Sequence, residues 1–225
     1  YKKLIPNGNS LGIKITYIEQ PSPKGLPDAF LLGEKFIGND NVALILGDNF
    51  FYGQNLTKQL KNSAKLKSGA QVLLHKVNRP ELYGVAKVKK NKVTSIKEKP
   101  KKFFSDLAIT GLYFFDNKVV SYSKKLKPSK RGELEITDLL KMYKNNKKLY
   151  VDYIGRGGAW LDTGSIEDFY KTTAFVSSIE NRQGLKIACI EEIAFINKWI
   201  NKIQIKNSIK FYGVCEYSEY LKKIN

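Results

Sequence analysis

The chain has 225 residues, a formal charge of +18 and 42% hydrophobic residues, enough for one large domain or a domain with an appendage, and too apolar for a disordered tail. No apolar run is long enough to cross a membrane, and the N-terminal residues lack the apolar stretch of a secretory signal, so the chain reads as soluble and cytoplasmic with no membrane partner. With Cys189, Cys215 and His75 as the only cysteines and histidine, a disulfide framework and a structural zinc site are both excluded.

The charge invites a nucleic-acid reading, but its chemistry opposes one. Of the 39 basic residues only Arg79, Arg131, Arg156 and Arg182 are arginine, whereas bidentate recognition of bases and phosphates favours the guanidinium. The lysines are spread along the chain and suit a solvated surface, so no nucleic-acid partner is expected. A positive field still attracts small anionic substrates.

In chain order, Gly12 to Ile18 alternates as a strand does, after what reads as a helix from Tyr1, and before a turn-rich Gln20-Pro21-Ser22-Pro23. Asp28 to Ile37 is amphipathic and helical. Val42 to Leu46 is a short apolar run ending in Gly47-Asp48-Asn49, the pattern of a buried strand that delivers a carboxylate. A helix follows over Asn55 to Lys67, and a strand over Ala70 to Val77, in which His75 is a structural residue. Tyr83 to Val88 and Val93 to Lys97 flank Lys90-Asn91-Lys92 as a hairpin. Ile109 to Phe115 is an apolar strand, Glu135 to Tyr143 a helix and Leu149 to Ile154 a strand. The alternation argues for a parallel sheet with helices on both faces. From Ser165, a plausible helix cap, the chain is mainly helical, with Ile166 to Ile179 and Glu191 to Trp199 as elements. The division expected is a core over residues 1–164 and a helical region over 165–225 that makes oligomer or regulatory contacts.

Two aspartates stand out. Asp48 closes the first apolar run, and Asp162 follows Trp160-Leu161 and precedes Thr163-Gly164. A hard Mg²⁺ ion shared with phosphates needs only one or two protein carboxylates, although either aspartate alone reads equally well as a helix or turn cap.

Seven motifs then occur in one order: Gln20-Pro21-Ser22-Pro23-x-Gly25-Leu26, Leu46-Gly47-Asp48-Asn49, Tyr83-Gly84-Val85, Glu98-Lys99-Pro100, Thr110-Gly111-Leu112-Tyr113, Arg131-Gly132-Glu133-Leu134-Glu135-Ile136-Thr137-Asp138 and Ala159-Trp160-Leu161-Asp162-Thr163-Gly164. This order resembles the sugar nucleotidyltransferases, and within them the glucose-1-phosphate thymidylyltransferases. The resemblance implies a Rossmann-like mixed α/β sheet flanked by helices, with a small helical C-terminal region. It implies a Mg²⁺-dependent reaction of dTTP with glucose 1-phosphate that yields dTDP-glucose and pyrophosphate, for deoxysugar and polysaccharide synthesis, and a homotetramer. Asp48 and Asp162 would hold the metal and act with Lys99 as the catalytic set. Gln20, Pro23, Gly25 and Asp48 would bind the nucleotide, Gln20 reading the thymine edge and Gly25 letting the backbone approach the base. Tyr83, Gly84, Glu98, Lys99, Ile109, Thr110 and Trp160 would form the sugar-phosphate site. Arg131, Glu133 and Glu135 fit a role there or plain helix-dipole complementarity.

The family's Gly-Gly-x-Gly phosphate loop, with its arginine, is absent from these 225 residues. The expectation is of an N-terminally truncated enzyme, short by about two βα units or on the order of 60 residues, that binds sugar phosphate poorly and does not turn over. Lys97 stands where a second acid often precedes Glu98, and Pro27 replaces a small residue. Two alternatives stay open: a UTP-dependent uridylyltransferase, since uracil and thymine share one hydrogen-bonding edge, and a non-catalytic sugar-nucleotide-binding regulatory protein.

Overall fold

A computed structural model describes residues 2–224 apart from Leu4 and Pro6. The residues cluster into two units, one over 19–169 and one combining 1–18 with 170–225.

The unit over 19–169 opens with α1 (Asp28–Leu32) and α2 (Glu34–Ile37), two short helices where the amphipathic pattern predicts one; Gly33 ends the first and starts the second. Then come β1 (Val42–Ile45), β2 (Asn49–Tyr52), α3 (Leu56–Ser63), β3 (Ala70–Lys76), β4 (Gly84–Lys89), β5 (Lys92–Glu98), β6 (Leu107–Phe115), α4 (Lys118–Ser123), α5 (Ile136–Asn145), β7 (Leu149–Tyr153) and β8 (Ala159–Asp162). The predicted hairpin is β4 and β5, turned by Lys90 and Asn91 at φ 50° and 57°, the paired left-handed conformation that a tight two-residue turn requires.

The main sheet runs β5-β4-β6-β3-β7, with β1 also paired to β6. It is mixed: only β3 and β7 pair in parallel, and the other ladders are antiparallel. The expectation of a parallel sheet is corrected here. Helices alternate with strands in sequence, but they do not join neighbouring strands in space, and alternation carries no information about strand order. β6 is central and buried along nearly its whole length, which is why its sequence is continuously apolar. Phe30, Val72, Leu74, Phe115, Leu139 and Tyr143 lie in the core on one face, and Leu73, Leu112 and Phe114 form a cluster on the other. A separate two-stranded ribbon joins β2 to β8, with Asn49 opposite Asp162.

The helix α6 (Ile166–Gln183) starts at Ser165, whose Oγ accepts from Asp168 N at 3.0 Å, and runs four residues beyond the predicted stretch. It is followed by α7 (Ile190–Ile196), α8 (Lys202–Tyr212) and α9 (Glu216–Ile224). In the unit of residues 1–18 and 170–225, Ile200, Ile205, Tyr220 and Leu221 centre a small core. Asn201 and Gln204 close the N-terminus of α8 as a reciprocal capping box. Gly12 to Ile18 is not a strand: among the described residues it joins no sheet ladder, the Ile13 and Ile15 N–H groups donating instead to Gly8 O at 3.1 Å and Asn7 O at 2.9 Å, and Ile13, Tyr17 and Ile18 stay exposed. Alternation without a neighbouring strand to form a ladder does not make a strand. Of the helix expected at the N-terminus, Tyr1, Leu4 and Pro6 lie outside the described residues, and Asn9–Leu11 form a 3₁₀ turn. No helix among the described residues is long and apolar enough to cross a membrane.

Candidate active site

The ribbon of β2 and β8 brings the two aspartates together from distant points of the sequence. Asp48 immediately precedes β2, Asp162 ends β8, and Asp48 O accepts from both Thr163 N and Thr163 Oγ1 at 2.8 Å. Burial raises the pKa of Asp162, and the nearby Asp48 and Asp168 carboxylates push the same way, against the Gly164 N–H and Lys99. A carboxylate whose charge is disfavoured by burial and by a neighbouring carboxylate suits a shared cation. Among the described residues no group of three or more acidic, histidine or cysteine ligands exists. The pair therefore fits an ion such as Mg²⁺ that takes its remaining oxygens from phosphates and water, and does not fit an all-protein cage.

Beside Asp162 lies a cavity of about 330 Å³, within the size range of small-ligand sites. The hairpin β4–β5 supplies Gly84 and Glu98, with Tyr83 and Lys99 flanking it, β6 supplies Ile109, and β8 supplies Trp160. The Tyr83 and Trp160 rings stand 4.9 Å apart and make an aromatic wall. Lys99 takes a φ of 36°, in the left-handed region that a side-chain-bearing residue occupies at a cost, which is often met at functional sites. Its N–H is fixed by Tyr83 O at 3.0 Å.

Glu98 is half-buried, and burial, then the Glu135 carboxylate, raise its pKa against Arg131, Lys99 and the adjacent Thr137 hydroxyl. Thr137 Oγ1 is buried and stops short of hydrogen-bond geometry with any partner. Arg131 grips Glu135, with Nε to Oε1 at 3.1 Å and Nη2 to Oε2 at 2.7 Å. It also reaches to 3.8 Å from Glu98. Arg131, Glu133 and Glu135 all line the cavity.

Thr110 turns away from it. Side chains alternate along β6, so Ile109 and Gly111 border the cavity while Thr110 donates to Leu73 O at 3.0 Å on the far face. Gln20, Pro23 and Gly25 lie outside the lining. Gln20 Nε2 donates to Asp28 Oδ2 at 2.9 Å. Gly25 has φ 97°, and a Cβ there would come within 2.1 Å of Leu134 O; what its bare backbone admits is another segment of the protein. Lys24 O accepts from Leu134 N at 2.8 Å, so the Gln20 motif is tied to the Arg131 motif. His75 is a strand residue on β3 and faces Trp160 edge-on at 6.2 Å.

Sequence reasoning assigned no role to Asn49 and none to Thr137. Asn49 borders the cavity and bonds to Asp48, Trp160 and Gly111. Its signal was its place directly after the strand-end aspartate.

Comparison with known proteins adds to this geometry. Residues 1–179 match the nucleotidyl transferase family. The whole chain aligns with 78% of the glucose-1-phosphate thymidylyltransferase of Neisseria meningitidis serogroup A at 47% identity. Over 98% of the chain and 75% of the relative, identity is 43% to the enzyme of the same name from Xanthomonas campestris. Among solved structures, one from Bacillus anthracis described as a glucose-1-phosphate thymidylyltransferase, in complex with sucrose, has a TM-score of 0.68 at 39% identity and covers 77% of this chain and 70% of its own. A UDP-glucose pyrophosphorylase bound to UDP-glucose has a TM-score of 0.63 at 26% identity, over 72% and 66% of the two chains.

Proposed function

Because the chain belongs to the nucleotidyl transferase family and is a nucleotidyltransferase enzyme, we propose that its reaction joins the thymidylyl group of dTTP to glucose 1-phosphate, giving dTDP-glucose and pyrophosphate. The observation that carries this reading is a cavity holding Glu98 and Lys99 directly beside Asp162, itself paired across the ribbon with the Asp48 segment.

Each residue has a task that its chemistry suits. The Tyr83 and Trp160 rings form a wall for the sugar, and Glu98 accepts hydrogen bonds from its hydroxyls. Lys99, with Arg131 at the rim, holds the sugar phosphate and orients one of its oxygens toward the α-phosphorus of the nucleotide. That oxygen attacks in line, the bond to the bridging oxygen breaks, and pyrophosphate leaves. Such a displacement needs alignment and charge neutralisation more than covalent help. Asp48 and Asp162 would hold Mg²⁺, which supplies neutralisation of the phosphate charge. Gln20 would face the base with the amide oxygen that its bond to Asp28 leaves free.

The test is pyrophosphate release from glucose 1-phosphate and Mg²⁺ with dTTP, UTP, CTP, ATP and GTP in turn by the protein extended upstream to its natural start, since the 225 residues alone are expected not to turn over, beside titration of dTDP-glucose into the same protein. Release that is greatest with dTTP and vanishes in Asp48→Asn supports the reading. Release greatest with UTP moves it to a uridylyltransferase, which the likeness to UDP-glucose pyrophosphorylase favours. Binding of dTDP-glucose without release from any nucleotide moves it to a regulatory sugar-nucleotide-binding protein.

A further inference from the structure

The central strand β6 has β3 along one edge. Its other edge pairs with β4 at Ala108 and with β1 over Leu112 to Phe115, so between them, among the described residues, no strand reaches Gly111. The gap is filled otherwise. Gly111 O accepts from Leu46 N at 2.9 Å, and Gly111 N donates to the side chain of Asn49, Oδ1, at 3.0 Å. The same oxygen accepts from Trp160 Nε1 at 2.6 Å. On the opposite side of the amide, Asn49 Nδ2 donates to Asp48 Oδ1 at 2.8 Å.

The chemistry fixes which way this amide points. An indole N–H and a backbone N–H can only donate, so the oxygen must face them, and the NH₂ group must face the carboxylate. The seat is close-fitting, because a Cβ on residue 111 would stand 2.4 Å from Asn49 Oδ1. Asp48 is exposed, and its bonds from Thr163 hold its backbone carbonyl, not its carboxylate. Asn49 thus makes a direct side-chain hydrogen bond to that carboxylate.

We infer that Asn49 is a positioning residue for Asp48: its amide, locked by Trp160 and Gly111, holds the Asp48 carboxylate in the orientation from which it and Asp162 together accept a divalent cation. The inference rests on the metal role proposed above for Asp48. An exposed carboxylate free to rotate loses orientational freedom each time it binds an ion. A hydrogen bond that fixes it beforehand removes that loss, and outer partners of metal ligands commonly govern affinity.

The experiment measures Mn²⁺ binding to the 225-residue protein through the electron paramagnetic resonance signal of free Mn²⁺, for wild type, Asn49→Ala, Trp160→Phe and Asp48→Asn, with thermal unfolding of each alongside. Asn49→Ala is expected to weaken Mn²⁺ binding about tenfold. Trp160→Phe removes one anchor of the amide while leaving Asn49 in place, so it is expected to weaken binding about two- to threefold. A merely structural role predicts a lower Tm with the Mn²⁺ affinity of the folded protein unmoved, and that result overturns the inference. If Asn49→Ala does not fold, unchanged affinity in Trp160→Phe overturns it equally. Wild-type affinity in Asp48→Asn is a different failure: it removes the metal role of Asp48 itself.

Discussion

Arg131 binds Glu135 with two nitrogens, and Glu135 also accepts from Ser129 Oγ at 2.6 Å. Burial works against the charge on Glu135, but the bonds from Arg131 and Ser129 outweigh it and hold its pKa below the ordinary value. A lowered folded pKa contributes stability that is present above the unfolded pKa and lost as pH falls through the folded one. Arg131→Ala should therefore cost stability at neutral pH and flatten the acid limb of the stability curve below about pH 4.5. The Arg131 side chain is half exposed, so the loss should be about 1–2 kcal/mol, less than that of a fully enclosed pair. Urea melts from pH 3 to 7 measure both effects.

Glu98 has the opposite sign. Its raised pKa, from burial and then Glu135, means that its stabilising contribution is complete below the ordinary carboxyl pKa and is lost as pH rises through the raised value. Glu98→Gln should unfold at a higher temperature than wild type at pH 7 to 8, with the gain vanishing near pH 4. The same change should weaken glucose 1-phosphate binding about tenfold or more, since a charged acceptor is replaced by a neutral one. Calorimetric melts and titrations on one preparation test the trade; a variant that gains stability without losing affinity would remove Glu98 from the sugar site.

Tyr143 reports on the core and not on the site. Its hydroxyl donates to Asp116 Oδ1 at 2.8 Å, and Asp116 Oδ2 accepts from Gly69 N at 2.6 Å. Tyr143→Phe should cost about 1 kcal/mol, the net worth of one buried hydrogen bond, plus part of the desolvation left on Asp116. Nucleotide specificity should not change, which a melt and a substrate panel can check together.

In the unit of residues 1–18 and 170–225, Glu191 is buried and accepts from Tyr212 Oη at 2.8 Å and Tyr217 Oη at 2.5 Å. Glu191→Ala removes the acceptor of both hydroxyls, Tyr217 keeping only its bond from Cys189 Sγ at 3.2 Å, for a loss of about 2–3 kcal/mol. Hydrogen exchange should show the loss as faster opening of α8 and α9. Tyr220, bonded to Glu192, has its pKa pushed up to about 12, by burial first, so its phenolate absorbance should emerge later in an alkaline titration than that of an exposed tyrosine.

How much of this was legible beforehand depends on whether the information was local. Asp48 and Asp162 could be read because each follows a short apolar run, and the Lys90-Asn91 hairpin because turn chemistry is local. Thr110 illustrates the limit. A motif says that a segment borders a site, and only the phase of the strand says which alternate side chains face it. Gly25 was assigned to a close approach, but its neighbour, Leu134, lies far along the chain. Strand direction was invisible for the same reason, and so was the grouping of residues 1–18 with 170–225, where the close fit of Gly12 against Trp199 O leaves no periodic trace.

The ribbon of β2 and β8 also bears on how the protein is made. Asn49 and Trp160 bond across 111 residues, so during synthesis β2 is finished long before its ladder partner β8 exists. The main-sheet strands up to β6 can pair while β2 still waits for β8. A stalled or slowly elongating chain should thus expose the hydrogen-bonding edge of β2 that β8 covers in the folded protein, the kind of intermediate on which chaperones act and from which aggregation begins.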